Sequence, residues 1–105
     1  MEILVFLKTK DGANAKAIYN LETKECTVKK DSIVTSTISK APTFKSKKAI
    51  EKQRKEYVKD NIVLKDVHFK SSSSAGNFVT GRSTDGMHAW KDKGGTPLKT
   101  LVGDS

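Results

Sequence analysis

The sequence predicts a single α+β domain, a small and largely antiparallel sheet with two helices packed on it, and three observations lead to that prediction. The chain has 105 residues, a length that fits one domain. Short apolar or alternating runs near both ends indicate strands. Two segments with helical spacing of apolar residues lie between them. We expect the domain to span residues 1–102 and residues 103–105 to form a flexible C-terminal end.

The N-terminal third predicts three strands. Residues 2–8 form a short apolar run with β-branched and aromatic members, which is typical of a strand buried on both faces. Residues 15–19 and 26–28 alternate apolar and polar side chains, as half-buried strands do. The polar segment 22–24 between them predicts a hairpin that joins these two strands.

The C-terminal third predicts a further strand. Asp85-Gly86 is a hairpin-type turn signal, and residues 87–91 are expected to form the strand that follows it. Trp90 lies in that segment and has two interpretations, an exposed indole that stacks a nucleobase or the main core residue. Because aromatic residues make up only 7% of the chain, the core needs its largest one, and the second interpretation is favoured.

Two helices are expected between these strands. The first spans residues 47–59, with Ser46 as its N-cap and Ile50 on its apolar stripe. The second spans residues 73–80 and has a serine cap at its start. Gly81 follows it at the position where helices commonly end in a glycine.

The first helix carries a row of lysines opposite its apolar stripe. Spacings of 4, 3 and 4 residues place them together, and the row consists of Lys48, Lys52, Lys55 and Lys59. Glu51 is expected to pair with Lys55, four residues later. Glu56 is expected to pair with Lys52, four residues earlier. Such a row is either a solvated helix face or a surface that follows the phosphates of a nucleic acid.

A run of four serines at the start of the second helix suggests an anion site. Backbone amides, hydroxyls and the positive end of the helix dipole all favour a negative charge there. The alternative is plain N-capping beside a polar loop. A lysine precedes the run and an arginine follows the helix, so the candidate residues are Lys70, Ser71, Ser72, Ser73, Ser74 and Arg82.

Catalytic and metal-binding motifs are missing from the sequence. Cys26, His68 and His88 do not have the spacing of a zinc site. Ser73, His88 and Asp85 form a triad only on paper, because no Gly-x-Ser-x-Gly nucleophile turn is present. We therefore expect no enzymatic activity, no metal and no cofactor.

The net charge points to a class of partner. The chain has 20 Lys or Arg against 12 Asp or Glu, a net charge of +8, and residues 36–70 alone hold 10 against 4. This asymmetry favours a polyanion, most simply nucleic acid, although a solvated lysine-rich surface has the same composition. The longest apolar run, residues 3–7, is too short to cross a membrane, and a single cysteine fits a reducing compartment. We expect a cytoplasmic domain with no membrane partner.

Residues 69–98 resemble a known family. The pattern comprises Phe69-x-Ser71-x-Ser73-x-Ala75, Val79-x-Gly81-Arg82-Ser83, Gly86, and Trp90-Lys91-Asp92-x-x-Gly95-x-x-Leu98. It resembles a small domain of unknown function found at the C-terminal end of GIY-YIG-type endonuclease homologues and of restriction-modification-associated proteins. It is also similar to the RAMA domain. The N-terminal strand fits the family as well, so the resemblance covers nearly the whole chain.

The resemblance implies a function. It implies a non-catalytic accessory domain that recognises DNA, with modified bases as one option, beside a nuclease or methylase partner. In this interpretation the lysine row supplies phosphate contacts, and the serine run with its flanking cations holds a phosphate or a base edge. The alternative is a structural or protein–protein interaction module that docks onto such a partner.

Overall fold

A four-stranded antiparallel sheet organises the chain, for which a computed structural model describes residues 2–39 and 47–102. In chain order the elements are β1 (Glu2–Lys8), β2 (Asn14–Asn20), β3 (Cys26–Val28), α1 (Lys47–Tyr57), β4 (Val58–Lys59), β5 (Ile62–Val63), β6 (Val67–Phe69), α2 (Ser72–Thr80), α3 (Gly86–Ala89) and α4 (Leu98–Leu101). The sheet order is β1-β2-β3-β6, and β4 pairs with β5. The α+β class is confirmed, with two longer helices and two helices of a single turn.

The N-terminal strands form as expected, but β1 is buried on one face only. Val5 and Leu7 are buried, whereas Leu4, directly before Val5, is 43% exposed. Successive side chains of a strand point to opposite faces, and α2 packs on one face of the sheet, where the rings of Phe69 and Phe78 lie 5.2 Å apart. The prediction of a strand buried on both faces was wrong, because an apolar run does not require cover on both sides.

The segment after Asp85 is a helical turn instead of the expected strand. The Asp85 side chain accepts a hydrogen bond from the Met87 amide and caps α3. Asp-Gly suits both a hairpin turn and a helix start, so the local sequence does not decide between them. Trp90 then returns to extended backbone, and Lys91 forms a single bridge to Phe6. The sheet is therefore built from residues 2–69, without the expected C-terminal strand.

Both predicted helices exist, with different ends. The first ends at Tyr57 instead of residue 59, because Asp60 and Asn61 adopt left-handed backbone (φ 53° and 66°) and turn the chain from β4 into β5. The second begins one residue early, and Gly81 ends it with φ 70°, as predicted. The proposed cap at Ser46 and the proposed flexible end at residues 103–105 lie outside the described residues.

The core lies between the sheet and the helices. Trp90 is fully buried, and its indole N–H donates to the Ser72 carbonyl at 3.0 Å, which confirms it as a core residue. Cys26 is also fully buried, and burial raises the pKa of its thiol to about 12. In the part of the chain that the structure describes, no helix has the length and apolar character that crossing a membrane requires.

Candidate nucleic-acid interface

The lysine row is exposed, and most of it lies on α1. Lys48, Lys52 and Lys55 are exposed on the helix, whose buried side holds Ile50. Lys59 is exposed too, but it belongs to β4, past the helix end. We call the three exposed lysines on α1 the lysine face.

The glutamates beside the lysine face do not pair as the spacing predicts. The Glu51 carboxylate lies 3.9 Å from the Lys47 ammonium, in the preceding turn, instead of pairing with Lys55. Within residues 2–39 and 47–102, no ion pair joins Glu56 to Lys52. The lysine face is therefore less neutralised than helical spacing alone suggests.

The serine run holds the structure together at the start of α2. The Ser71 hydroxyl accepts a hydrogen bond from the Ser74 amide at 3.1 Å, so Ser71 is the N-cap. Ser72 is buried, and its hydroxyl lies 3.6 Å from the Met87 sulfur. The Ser73 hydroxyl accepts from the Gly86 amide at 3.2 Å. Only Ser74 of the four is exposed.

The backbone of α3 contacts the start of α2 closely at Gly86. A Cβ on Gly86 would lie 2.2 Å from the Ser72 carbonyl carbon and 2.4 Å from the Ser73 amide nitrogen. Only glycine therefore lets α3 approach α2 so closely. One side of the helix start is thus covered by the backbone of α3, which the sequence pattern did not indicate.

The two cations expected to flank the serine run lie at different ends of α2. Lys70 is exposed directly before Ser71. Arg82 follows the C-terminal end, roughly 15 Å away along the axis at 1.5 Å per residue. Its guanidinium donates to the Asp11 carboxylate at 2.8 Å. A hydrogen bond with the Thr9 side chain, and then this bond from Arg82, hold the pKa of Asp11 below its usual value. The structure brings Lys70 to the serines and leaves Arg82 with another partner.

Arg54 is a cation with an internal role that the sequence pattern missed. Its guanidinium donates to the carbonyls of Phe78 (3.0 Å) and Val79 (3.1 Å), in the last turn of α2, and to the carbonyl of Thr35 (2.6 Å). Burial lowers its pKa to about 10, so it remains charged at neutral pH. A signal did exist, because Arg54 lies four residues after Ile50 and therefore on the apolar stripe of α1.

Ser73, His88 and Asp85 do not form a hydrogen-bonded catalytic triad among the described residues. The His88 ring and the Asp85 carboxylate form a hydrogen bond, which lowers the pKa of Asp85. Ser73 contacts the Gly86 amide, and no hydrogen bond to His88 is found among the described residues. The other histidine, His68, lies 3.0 Å from the Glu25 carboxylate. The described residues contain no group of three side chains placed to hold a metal ion.

Comparison with known proteins gives a family. No curated protein and no solved structure matches the chain significantly. The family described as Domain of unknown function (DUF4357) matches residues 5–102, from β1 to the residue after α4. This match covers the sheet from the middle of β1 onward, the four described helices and the contact between α2 and α3. The chain therefore belongs to the DUF4357 family.

Proposed function

We propose that the chain is a non-catalytic accessory domain that binds nucleic acid, most directly DNA, through the lysine face. The observation that supports this is that Lys48, Lys52 and Lys55 are exposed and form no ion pair within the described residues. The nearby Glu51 carboxylate pairs with Lys47 instead. Phosphates that replace the counterions around such lysines give binding that does not depend on sequence and weakens with salt. The net charge of +8 adds a general attraction over longer range.

The edges of this interface follow from the placement of the other candidates. Lys59 lies just past the end of α1 and extends the lysine face. Lys70, with the exposed Ser74 nearby, supplies a second phosphate contact. We leave Arg82 out because its guanidinium is bound to Asp11.

The proposed setting is restriction or nuclease activity in the cytoplasm, on DNA that includes modified DNA. It rests on the similarity of residues 69–98 to domains appended to GIY-YIG-type endonuclease homologues and to the RAMA domain. In that setting a nuclease or methylase supplies the chemistry, and this domain supplies attachment to DNA.

Duplex binding at two salt concentrations tests the lysine face. We expect fluorescence anisotropy to show binding that falls steeply with salt. Lys52→Glu combined with Lys55→Glu should weaken binding about tenfold or more and should lower the salt slope by roughly two phosphate contacts. The matched control is Lys24→Glu combined with Lys99→Glu, the same charge change on exposed lysines elsewhere. Equal losses in both variants, or no salt-dependent binding, would contradict the proposal.

A second candidate function is docking onto a nuclease or methylase chain, and one observation favours it. Ile33 and Ile62 are bridged neighbours that are 39% and 42% exposed, and Leu64 beside them is 50% exposed. Exposed apolar neighbours of this kind suit a protein interface. Ile62→Ser with Leu64→Ser should abolish co-elution with such a partner and leave duplex binding unchanged. Retained co-elution would remove this candidate.

A further inference from the structure

An aromatic ring lies on the open face of the sheet, on the edge strand opposite the one that α1 flanks. Phe6 is at the middle of β1, and its side chain points to the face opposite Val5 and Leu7 because strand residues alternate. The ring is partly exposed. The backbone of Phe6 exchanges two hydrogen bonds with Lys91, at 2.7 and 2.9 Å, which join this part of β1 to the segment that follows α3.

Two grooves meet at this ring. The first, with a volume of about 480 Å³, lies between β1 and the turn after α3, and it is lined by Phe6, Ala89 and the three lysines Lys8, Lys91 and Lys93. The second, of about 230 Å³, lies on the other side, where Phe6 faces residues that include Lys16 and Lys30. A groove of several hundred Å³ is large enough for a nucleotide-sized ligand.

The charges around the ring are strongly unbalanced. All five lysines are exposed, and we call them, together with Phe6, the Phe6 surface. Two aspartates line the same grooves, Asp31 and Asp92. The Asp92 carboxylate already accepts hydrogen bonds from the amides of Gly94 (3.0 Å) and Thr96 (2.8 Å), so it serves the turn. None of the five lysines forms an ion pair within the described ranges.

An aromatic ring with cations on two sides matches one kind of anionic ligand. Bases stack on aromatic faces, and lysines on either side can meet the phosphates before and after a stacked base. In a duplex the bases are already stacked within the helix and are not available to a protein ring. We propose that the Phe6 surface binds an unpaired, single-stranded segment of nucleic acid, with one base on Phe6.

This inference rests on the proposed nucleic-acid function and adds that part of the bound nucleic acid is single-stranded. Phe6 and the lysine face lie at opposite edges of the sheet, because β1 and β6 are roughly 14 Å apart at 4.8 Å per strand and α1 flanks the β6 edge. When a duplex is bound on the lysine face, only an unpaired segment of one strand can place a base on Phe6. DNA with a gap or an opened end contains both a duplex and an unpaired segment.

A labelled oligothymidine of about ten nucleotides tests the proposal by fluorescence anisotropy. Phe6→Leu keeps an apolar side chain but removes the stacking face, and we expect it to weaken binding about tenfold. Phe6→Tyr keeps the ring and should bind within about threefold of the original protein. Lys91→Glu with Lys93→Glu should also lose affinity, whereas Lys24→Glu with Lys99→Glu serves as the charge-matched control.

The two proposals fail in different ways. If Phe6→Leu binds oligothymidine as tightly as the original protein, or if Phe6→Tyr loses as much as Phe6→Leu, the Phe6 surface is not a stacking site. Those outcomes leave duplex binding by the lysine face intact. Loss of duplex binding in the Lys52→Glu, Lys55→Glu variant with unchanged oligothymidine binding supports two independent surfaces. Circular dichroism of each variant establishes that the loss is not one of folding.

Discussion

The start of α2 and the lysine surfaces are both polar, but their polar groups face different partners. At the start of α2 the Ser71 hydroxyl bonds to the helix, and the Ser73 hydroxyl bonds to α3. On the lysine face and around Phe6 the ammonium groups are exposed. Within the described residues, the lysines of these two surfaces form no ion pair. The first region uses polarity to hold elements together, whereas the second leaves charge available to a ligand.

The difference shows that the polar groups of a conspicuous motif can serve the fold. Four serines at a helix start suggest a ligand site because orphan amides and hydroxyls collect there. In this fold the Ser71 and Ser73 hydroxyls already accept hydrogen bonds from the helix and from α3. The lysines of the lysine face and of the Phe6 surface, in contrast, form no ion pair within the described residues. Substitutions in each region test the division between structural and ligand-facing polar groups.

Gly86→Ala should have the largest effect, because it forces a Cβ into the backbone of the α2 start. The added carbon would meet Ser72 atoms at 2.2 and 2.4 Å, so α2 and α3 must move apart. We expect a loss of about 3 kcal/mol in the free energy of unfolding, measured with urea. Gly94→Ala is the control, since its Cβ would meet its nearest atom, an Asp92 side-chain oxygen, at an ordinary 3.5 Å. A loss of similar size in both variants would contradict the close contact.

Arg54→Gln tests the difference between a half-buried cation and an exposed one. The guanidinium donates to the Phe78, Val79 and Thr35 carbonyls, so its removal leaves the end of α2 without these donors. We expect a loss of about 2 kcal/mol in unfolding free energy. Lys55→Gln, on the exposed side of the same helix, should change stability by less than about 0.5 kcal/mol. Equal stabilities of the two variants would show that Arg54 is not structural.

Ser71→Ala removes the N-cap of α2. We expect it to lower stability by about 1 kcal/mol, since the Ser74 amide then loses its acceptor. Ser83→Ala, at an exposed serine, is the control and should be near neutral. If Ser71→Ala instead weakens duplex binding tenfold while stability is unchanged, the serine run belongs to the interface and the comparison above fails.

Acid should have the smallest effect, because the paired carboxylates are near the surface. Hydrogen bonds from the Lys29 ammonium and the Lys30 amide hold the pKa of Asp66 below its ordinary value of 3.8. The unfolded chain therefore binds the proton first, so this contribution is present above about pH 4 and is lost as the pH falls through the lower folded pKa. The urea midpoint should be flat between about pH 7 and 5 and should drop near pH 3. Asp66→Asn should show a shallower drop, and an equal drop would contradict the role of this carboxylate.

Local signals explain what the sequence could predict of the fold. The cap at Ser71 and the glycine at position 81 bracket α2 within a few residues, and the alternation in β2 and β3 is equally local. Asp85-Gly86 failed as a strand signal because its chemistry fits a turn and a helix start alike. The choice was made by the contact between Gly86 and Ser72, which are fourteen positions apart.

The candidate site was less predictable than the fold. The lysine row follows from helical spacing. Whether these lysines form ion pairs with Glu51 and Glu56 depends on side-chain rotamers, which spacing does not determine. The Phe6 surface has no sequence pattern, since it joins β1 to residues near position 91 through a single bridge between Phe6 and Lys91. The role of Arg54 could not be predicted, because spacing shows which face of a helix a residue is on but not which carbonyls lie across from it.

The buried Cys26 makes the protein suited to chemical labelling. It is the only cysteine in the chain, and a pKa of about 12 leaves almost no thiolate at neutral pH, so a maleimide should not modify the folded protein. In a Ser83→Cys variant, the new exposed thiol would then be labelled selectively. Because Cys26 lies in β3 at the centre of the sheet, its own reaction with a thiol reagent would record each opening of the core.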